Sequence, residues 1–440
     1  MGPIPAHWSV NCLKRIATFC GGGTPSKANL DYWRGEIPWV SPKDMKSEVV
    51  SDSQDHISEK ALADTAVRLV DAGSVLVVVR SGILKHSVPV AINSCSVALN
   101  QDMKAIIPDA FLTPSYLASL IRSHQSALLV EWRKAGATVE SIEHDLLAGT
   151  QIPVPPPPEQ RAIAAFLDQE TQKIDRLVAK RERLIELLEE KRTALISRAV
   201  SKGLDPDVPM KDSGVEWLGK IPEHWTLIAL RRLLANIEQG WSPNAEDRVA
   251  SLDEWGVIKI SAIDEGFFRS EEVKALPQDV VPDSRYEIQA GDILLTRGNT
   301  PNLVGDVCIV GNTRPRLMLS DLVYRLSVEH QKVDRVYLTY WLLSRAGRYQ
   351  ITRDARGSSQ SMVKISQEHI RSWSVALPPL AEQQAIVAFV ERETSKLDAL
   401  VGKVREHIDM LREYRTALIS AAVTGKIDVR AEVPDSKGKR

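Results

Sequence analysis

The sequence predicts an α+β chain with an internal repeat: two mixed blocks, each followed by a long helix, with the helices paired as an antiparallel coiled coil about a pseudo-two-fold axis. Three observations lead there. A stretch of 47 residues occurs twice, and each copy carries a sustained heptad pattern. Outside the copies, short apolar runs mix with helix starts and turn signals, without a regular βαβ rhythm.

The repeat comes first. Residues 159–205 begin EQRAIAAFLDQETQKIDRLV and end RTALISRAVSKGLD. Residues 382–428 begin EQQAIVAFVERETSKLDALV and end RTALISAAVTGKID. At an offset of 223, without gaps, 25 of 47 positions are identical. Upstream the likeness is weaker: Ile4-Pro5-Ala6-His7-Trp8 matches Ile221-Pro222-Glu223-His224-Trp225, and Pro155-Pro156 matches Pro378-Pro379. Ala72-Gly73, an apolar strand and Arg80 match Ala290-Gly291, an apolar strand and Arg297. A period this long is a tandem duplication, since solenoid units run ~20–50 residues. The expected division is a mixed block over 1–157, a helical region over 158–205, a linker and second mixed block over 206–380, a second helical region over 381–428, and a tail over 429–440.

Each copy of the repeat reads as one helix. Leu397, Val404, Leu411 and Leu418 recur every seven residues, and Leu400, Val401 and Ile408 widen the stripe. Ile174, Leu177, Val178, Leu184, Ile185, Leu188 and Leu195 do the same in the first copy. Heptads with Glu, Lys and Arg between them argue for a coiled coil. Each run starts after prolines and stops near Gly203 or Gly425. About 40 residues at ~1.5 Å each make a rod of ~60 Å. Pairing within the chain is favoured by high effective concentration; pairing between chains is the alternative.

Within the mixed blocks, Val75 to Val79, Ile293 to Thr296, Ile37 to Val40 and Val257 to Ile260 read as short strands. Tyr116 to Leu120 and Tyr337 to Leu343 read as helix starts. The prolines within Pro153 to Pro158 read as a stiff spacer. Trp8, Trp33, Trp225 and Trp255 suit a core better than a base-stacking role.

Composition narrows the function classes. Charged residues make up 26% and the formal net charge is −1, which argues against non-specific coating of DNA but leaves room for local basic faces. Cys12, Cys20, Cys95 and Cys308 have no zinc-ligand spacing. No apolar run approaches the ~18 residues that span a bilayer, and MGPIPAHW lacks the apolar segment of a signal peptide. A soluble, cytoplasmic protein is expected. Neither GxGxxG after a strand nor HExxH is found. Gly214 to Lys220 fits GxxxxGK, but Ile221 stands where Ser or Thr must hold Mg²⁺ and no helix is expected to follow.

The order of these parts resembles the specificity subunit of type I restriction–modification systems from end to end. Its two shared regions match Pro157-Pro158-Glu159-Gln160 with Arg192 to Ser197, and Pro378-Pro379-Leu380-Ala381-Glu382-Gln383 with Arg415 to Ser420. The first copy begins at IPAHW, without the DSGVEWLG lead of the second. The resemblance implies two target-recognition domains, each reading one half of a split double-stranded DNA site, separated by the two helices. It implies no catalytic residue, metal or cofactor in this chain. Two methyltransferase subunits would bring S-adenosylmethionine and methylate adenines, restriction subunits would bring ATP- and Mg²⁺-dependent translocation and cleavage, and the setting would be the cytoplasm of a bacterium or archaeon. Half-site centres would lie about one helical turn, ~34 Å, apart or slightly more.

The candidates for contacting DNA flank the matched strands. They are Arg80, Ser81, Lys85 and His86 in the first block and Arg297, Asn299 and Thr300 in the second; Lys43, Lys46, Lys259 and Ser261 in the early loops; and Ser358, Ser359 and Gln360 in a polar loop matching Lys134 to Thr138 in position. Arg is the usual bidentate partner of guanine and Asn of adenine. Each of these residues is equally at home on a solvated turn. Two other functions compete: a nuclease or methyltransferase acting alone, and a coiled-coil scaffold with no DNA role.

Overall fold

The computed structural model describes residues 3–134, 139–243, 245–277, 279–359 and 362–430. The chain divides into two units. One comprises residues 1–181 with 406–440, the other residues 182–405. The division cuts both long helices, Pro157–Lys202 and Leu380–Val423, so each unit holds a mixed block and one end of each helix.

Each block is built of short strands. In the first unit a five-stranded sheet runs in the order Ala17–Gly21, Met103–Pro108, Val75–Val78, Val90–Asn93, Val49–Val50. A four-stranded sheet runs Asp55–Ile57, Ile37–Val40, Val97–Leu99, Leu69–Val70. The second unit repeats the frame with a four-stranded sheet, Leu234–Gln239, Val323–Val328, Ile293–Thr296, Val307–Ile309, and a three-stranded one, Val273–Ala275, Gly256–Ile258, Leu317–Met318. The central strands Val75–Val78 and Ile293–Thr296 are buried at every residue, which explains their apolar runs. Trp8 and Trp225 are buried core residues, and Trp33 and Trp255 are partly buried.

The prolines before the first long helix are not a spacer. Pro153 lies within the strand Gln151–Val154, paired with Ser9–Cys12, and the helix begins at Pro157. A two-stranded ribbon tolerates a residue without an N–H, and proline's fixed φ suits the first helical turn. The GxxxxGK stretch is a hairpin loop: Lys220 opens the strand Lys220–Pro222, paired with Met210–Asp212.

The joint between block and helices is the same in both units. Gln160 is fully buried; its Nε2 donates to the carbonyls of Phe111 and Pro155, and its Oε1 accepts from Thr113. Gln383 repeats this with Lys332, Pro378 and Asp334. His7 bonds Glu159 at 2.8 Å, and His224 bonds Glu382 at 2.7 Å. The far ends of the helices close against the same motif. A Cβ on Gly425 would lie 3.0 Å from the Trp8 ring, and one on Gly203 3.5 Å from the Trp225 ring. Both glycines have positive φ and end their helices without a Cβ penalty. The Tyr116 hydroxyl donates to the carbonyls of Pro153 and Val423, the Tyr337 hydroxyl to those of Ala376 and Val200. Val423 and Val200 lie in last turns, where carbonyls lack helical partners.

The helices pair antiparallel within each unit. Arg192 meets Asp398 and Arg405 meets Glu189 in the second; Arg415 meets Asp175 at 3.1 Å in the first. Val390, Thr394, Leu397, Val404 and Ile408 are buried at steps of three, four or seven, and Ile174 and Leu188, two heptads apart, are buried in the first helix. Leu177 and Leu400, expected in the stripe, are instead 44% and 43% exposed. They are copies of one another, and a two-position heptad seam leaves no place for them. Leu187 and Met410, also copies, are exposed too.

Truncating either buried glutamine strands several polar groups. Gln160→Ala or Gln383→Ala should cost about 2–4 kcal/mol and lower the thermal midpoint of the unit that carries it. Differential scanning calorimetry of the two variants checks this, and a loss in one variant only would show that the joints are not equivalent.

Candidate nucleic-acid interface

The candidate site follows from where the central strand of each block ends. After Ile293–Thr296 the chain continues into Gly298–Asn299, which pairs with Met362–Lys364 and so joins a three-stranded sheet with Arg356–Ser359. Arg297, Asn299, Thr300, Ser358 and Ser359 are thus brought to one small sheet and its flank. Gln360 lies outside the described residues. In the first block the Ile142 N–H donates to Val79, Ser81 N–H donates to Glu140, and Arg80 bridges Ser141, so the strand end meets the 139–142 segment in the same way. Residues 135–138, within the loop matched to Arg356 to Gln360, are outside the described residues.

The register corrects one equivalence. Val79 donates to Asp102 and accepts from Ile142, while Arg297 donates to Leu322 and accepts from Ile365. Arg297 therefore corresponds to Val79, and Arg80 to Gly298. Counting from Gly73 and Gly291, both in left-handed backbone, gives the same answer. A one-residue slip in extended chain turns a side chain to the opposite face, so the two arginines are not copies.

Their contacts differ accordingly. Arg80 is half exposed and holds Asp102 through a 2.5 Å contact. Arg297 is partly buried, with Nη1 3.4 Å from the carbonyl of Asp321. Ser81 caps the turn Gly82–Lys85, and Lys85 and His86 sit exposed at its end. Asn299 accepts from the Thr300 N–H, and the Thr300 carbonyl accepts from Leu303 and Val304. Lys43 and Lys46 are exposed on a turn that Asp44 ties down through Ser41. Lys259 and Ser261 converge on Glu272, at 3.5 and 2.7 Å. The Ser261 hydroxyl and then the Lys259 charge hold the Glu272 carboxyl below its ordinary range, so both donors are engaged.

One cleft of the second unit, about 650 Å³, gathers groups that strand-end matching does not single out: Ser242, Lys274, Ser320 and Asp321 beside Lys259. Its frame is repeated in the first unit. Gly22 N–H donates to Met103 and Gly23 N–H to Leu99; Gly240 N–H donates to Val323 and Trp241 N–H to Leu319. Gly22-Gly23-Thr24-Pro25 thus corresponds to Gly240-Trp241-Ser242-Pro243, a faint signal already present in the sequence. Both leading glycines are forced by close backbone. A Cβ on Gly22 would lie 1.8 Å from the Asn100 carbonyl oxygen, and one on Gly240 2.2 Å from that of Leu319.

Among the described residues no group of His, Cys, Asp or Glu could hold a metal ion, and no helix is long and apolar enough to cross a membrane. The four cysteines are free thiols.

A family profile described as "Type I restriction modification DNA specificity domain" matches residues 5–187 and again residues 234–408. The chain is 41% identical over 158 residues to the EcoR124I/EcoR124II specificity subunit of Escherichia coli, covering 36% of this chain and 39% of that one. It is 23% identical over 448 residues to the StySPI specificity subunit of Salmonella potsdam, covering 99% of this chain and 92% of that one. Against the three relatives matched at 29–41% identity, the chain spans only 39–43% of their length. A solved chain from work on assembly and conformational transition of the type I restriction–modification system has the same fold, with a TM-score of 0.69 at 15% identity over 97% of this chain and 100% of that one.

The two glycines can be tested by their neighbour. Gly22→Ala and Gly240→Ala should each destabilise by about 1–3 kcal/mol, whereas Gly21→Ala, with nothing within 4 Å of its Cβ, should change little. Thermal unfolding of the three variants separates a close-approach requirement from a general intolerance of alanine.

Proposed function

We propose that this chain, which belongs to the family of type I restriction–modification DNA specificity proteins, reads a split double-stranded DNA site on behalf of partner enzymes. The observation that carries the reading is the twofold family match, one match per mixed block and its helix. Membership in a family of specificity domains gives the chain a recognition role, not a catalytic one. The competing scaffold reading leaves the duplicated blocks without a task.

In this reading residues 1–157 and the block within 206–380 are target-recognition domains. Residues 158–205 and 381–428 are the shared helical regions that fix the length of the unread spacer, and 429–440 is a tail. Lys43, Lys46, Arg80, Ser81, Lys85, His86, Lys259, Ser261, Arg297, Asn299, Thr300, Ser358, Ser359 and Gln360 supply DNA contacts. Cationic groups hold the phosphates, and groups at base edges choose the sequence. Two methyltransferase subunits carrying S-adenosylmethionine and restriction subunits using ATP and Mg²⁺ act on the addressed DNA in the cytoplasm of a bacterium or archaeon. The exposed copies Leu177 and Leu400, with Leu187 and Met410, suit the docking of two equivalent partners.

Co-expression with the methyltransferase partner, followed by mapping of methylated adenines, tests the reading. The expected motif is split by unread bases; a continuous motif, or no methylation in any complex, would sink it. Leu177→Glu or Leu400→Glu should leave unfolding unchanged but weaken co-purification with the methyltransferase. Lys259→Ala should reduce the log–log salt slope of DNA binding by the complex by about 1, while Glu272→Ala, which frees Lys259, should increase affinity. Filter binding between low and moderate salt gives both numbers.

A further inference from the structure

The two blocks share a turn whose backbone is fixed and whose side chains differ. In the first block Met103 N–H closes onto the Asn100 carbonyl, and in the second Val323 N–H closes onto the Ser320 carbonyl. Asn100, Gln101 and Asp102 thus correspond to Ser320, Asp321 and Leu322. A hydroxyl from the glycine-led loop lies against each turn: Thr24 donates to the Gln101 side chain, and Ser242 accepts from the Asp321 N–H at 3.1 Å. Gln101 is exposed. The Arg297 guanidinium reaches the Asp321 carbonyl, so the second turn adjoins the strand-end sheet.

Two features of the second turn point to a ligand. Ser320 lines the cleft at 5% exposure, and its buried Oγ has no hydrogen-bond partner. A buried polar atom left unpaired costs free energy unless something else satisfies it. The cleft cations are already compensated: Lys259 lies 3.5 Å from Glu272, and Lys274 lies 3.0 Å from Asp247. The Asp321 carboxylate has no partner among the described residues, and Asp321 lines the same cleft. An unpaired carboxylate repels phosphate, so Asp321 itself does not hold the DNA backbone. Carboxylate oxygens accept hydrogen bonds, and in the major groove the donors are the exocyclic amino groups of cytosine and adenine.

We propose that the turns Asn100 to Asp102 and Ser320 to Leu322, each with its neighbouring hydroxyl, are base-reading elements, and that Asp321 with Ser320 takes the amino-bearing edge of a cytosine or adenine. Gln101, at the position of Asp321, carries both a donor and an acceptor and takes an adenine edge in the other half-site. One backbone frame thereby holds different polar groups in the two readers, as recognition of two different half-sites requires. The inference rests on the reading of the chain as a DNA specificity subunit.

The test uses the full chain in complex with its methyltransferase partner and the map of methylated adenines. The wild-type complex first reports whether a split motif exists; its absence would overturn both readings. Given a split motif, Asp321→Asn and Ser320→Ala should change base preference by about tenfold or more at a position in one half-site, and Gln101→Glu in the other half-site only. Whether the position affected by Asp321→Asn is a cytosine or an adenine identifies the amino group. An unchanged motif in all three variants would overturn the proposal alone, as would changes falling in the same half-site. If a variant abolishes methylation, binding of its complex to unrelated duplex DNA decides: retained salt-dependent affinity with lost discrimination supports base reading, and loss of both shows a structural role and overturns it.

Discussion

Arg192 faces Asp398 and Arg415 faces Asp175, and each residue in the first pair is the copy of one in the second. This self-complementarity is the constraint on which the rest depends. Two helices that share such a repeat, laid antiparallel, make the contacts of their common residues twice, once in each unit. Neither arginine is a free surface charge. Arg415 also reaches Glu48, which Arg122 holds as well, and Arg192 lies over the Phe267 ring at 5.1 Å. The seam therefore anchors each mixed block as well as the partner helix. A substitution here acts on block and rod together, which makes it a poor probe of either alone.

The joints extend the same logic. A glutamine and a glutamate at the start of each helix, an Ile-Pro-x-His-Trp segment, a buried tyrosine and a terminal glycine form one fitting, repeated. Burial pushes both tyrosine hydroxyls well above their ordinary range, so each remains a neutral donor to a helix carbonyl and a strand carbonyl. One asymmetry persists: the Trp225 indole N–H donates to Glu382, while that of Trp8 is buried without a partner. Nothing in the structure explains that difference.

Much of this was legible in the sequence because duplication prints a pattern twice. Helix limits, terminal glycines and the central strands follow from periodicity and turn chemistry acting locally. Two readings failed where a non-local partner decides. Leu177 and Leu400 look like stripe residues by hydrophobicity, but only the partner helix defines which two positions per heptad are covered. The prolines before the first helix look like a spacer until Ser9–Cys12 supplies a strand to pair with Pro153. The slip between Arg80 and Arg297 has the same root, since sequence shows that an arginine follows a strand but not which carbonyl its N–H meets. The cleft at Asp321 was illegible for a further reason. Its groups come from four separated segments, and its one sequence trace, Gly-Gly-Thr-Pro against Gly-Trp-Ser-Pro, is only four residues long.

The unequal makeup of the two units bears on synthesis. Residues 182–405 are contiguous, so that unit has all its parts once its last helix segment leaves the ribosome. The other unit needs residues 406–430: Val423 must reach the Tyr116 hydroxyl, and Gly425 must settle against Pro5 and Trp8. The first block to be translated is thus the last to be completed, and it waits on the ribosome with the apolar surface of Ile163 and Leu167 lacking Ile419, Ala422 and Val423. A nascent chain stalled before that point is a half-closed molecule that a chaperone, or a protease, can distinguish from the finished one.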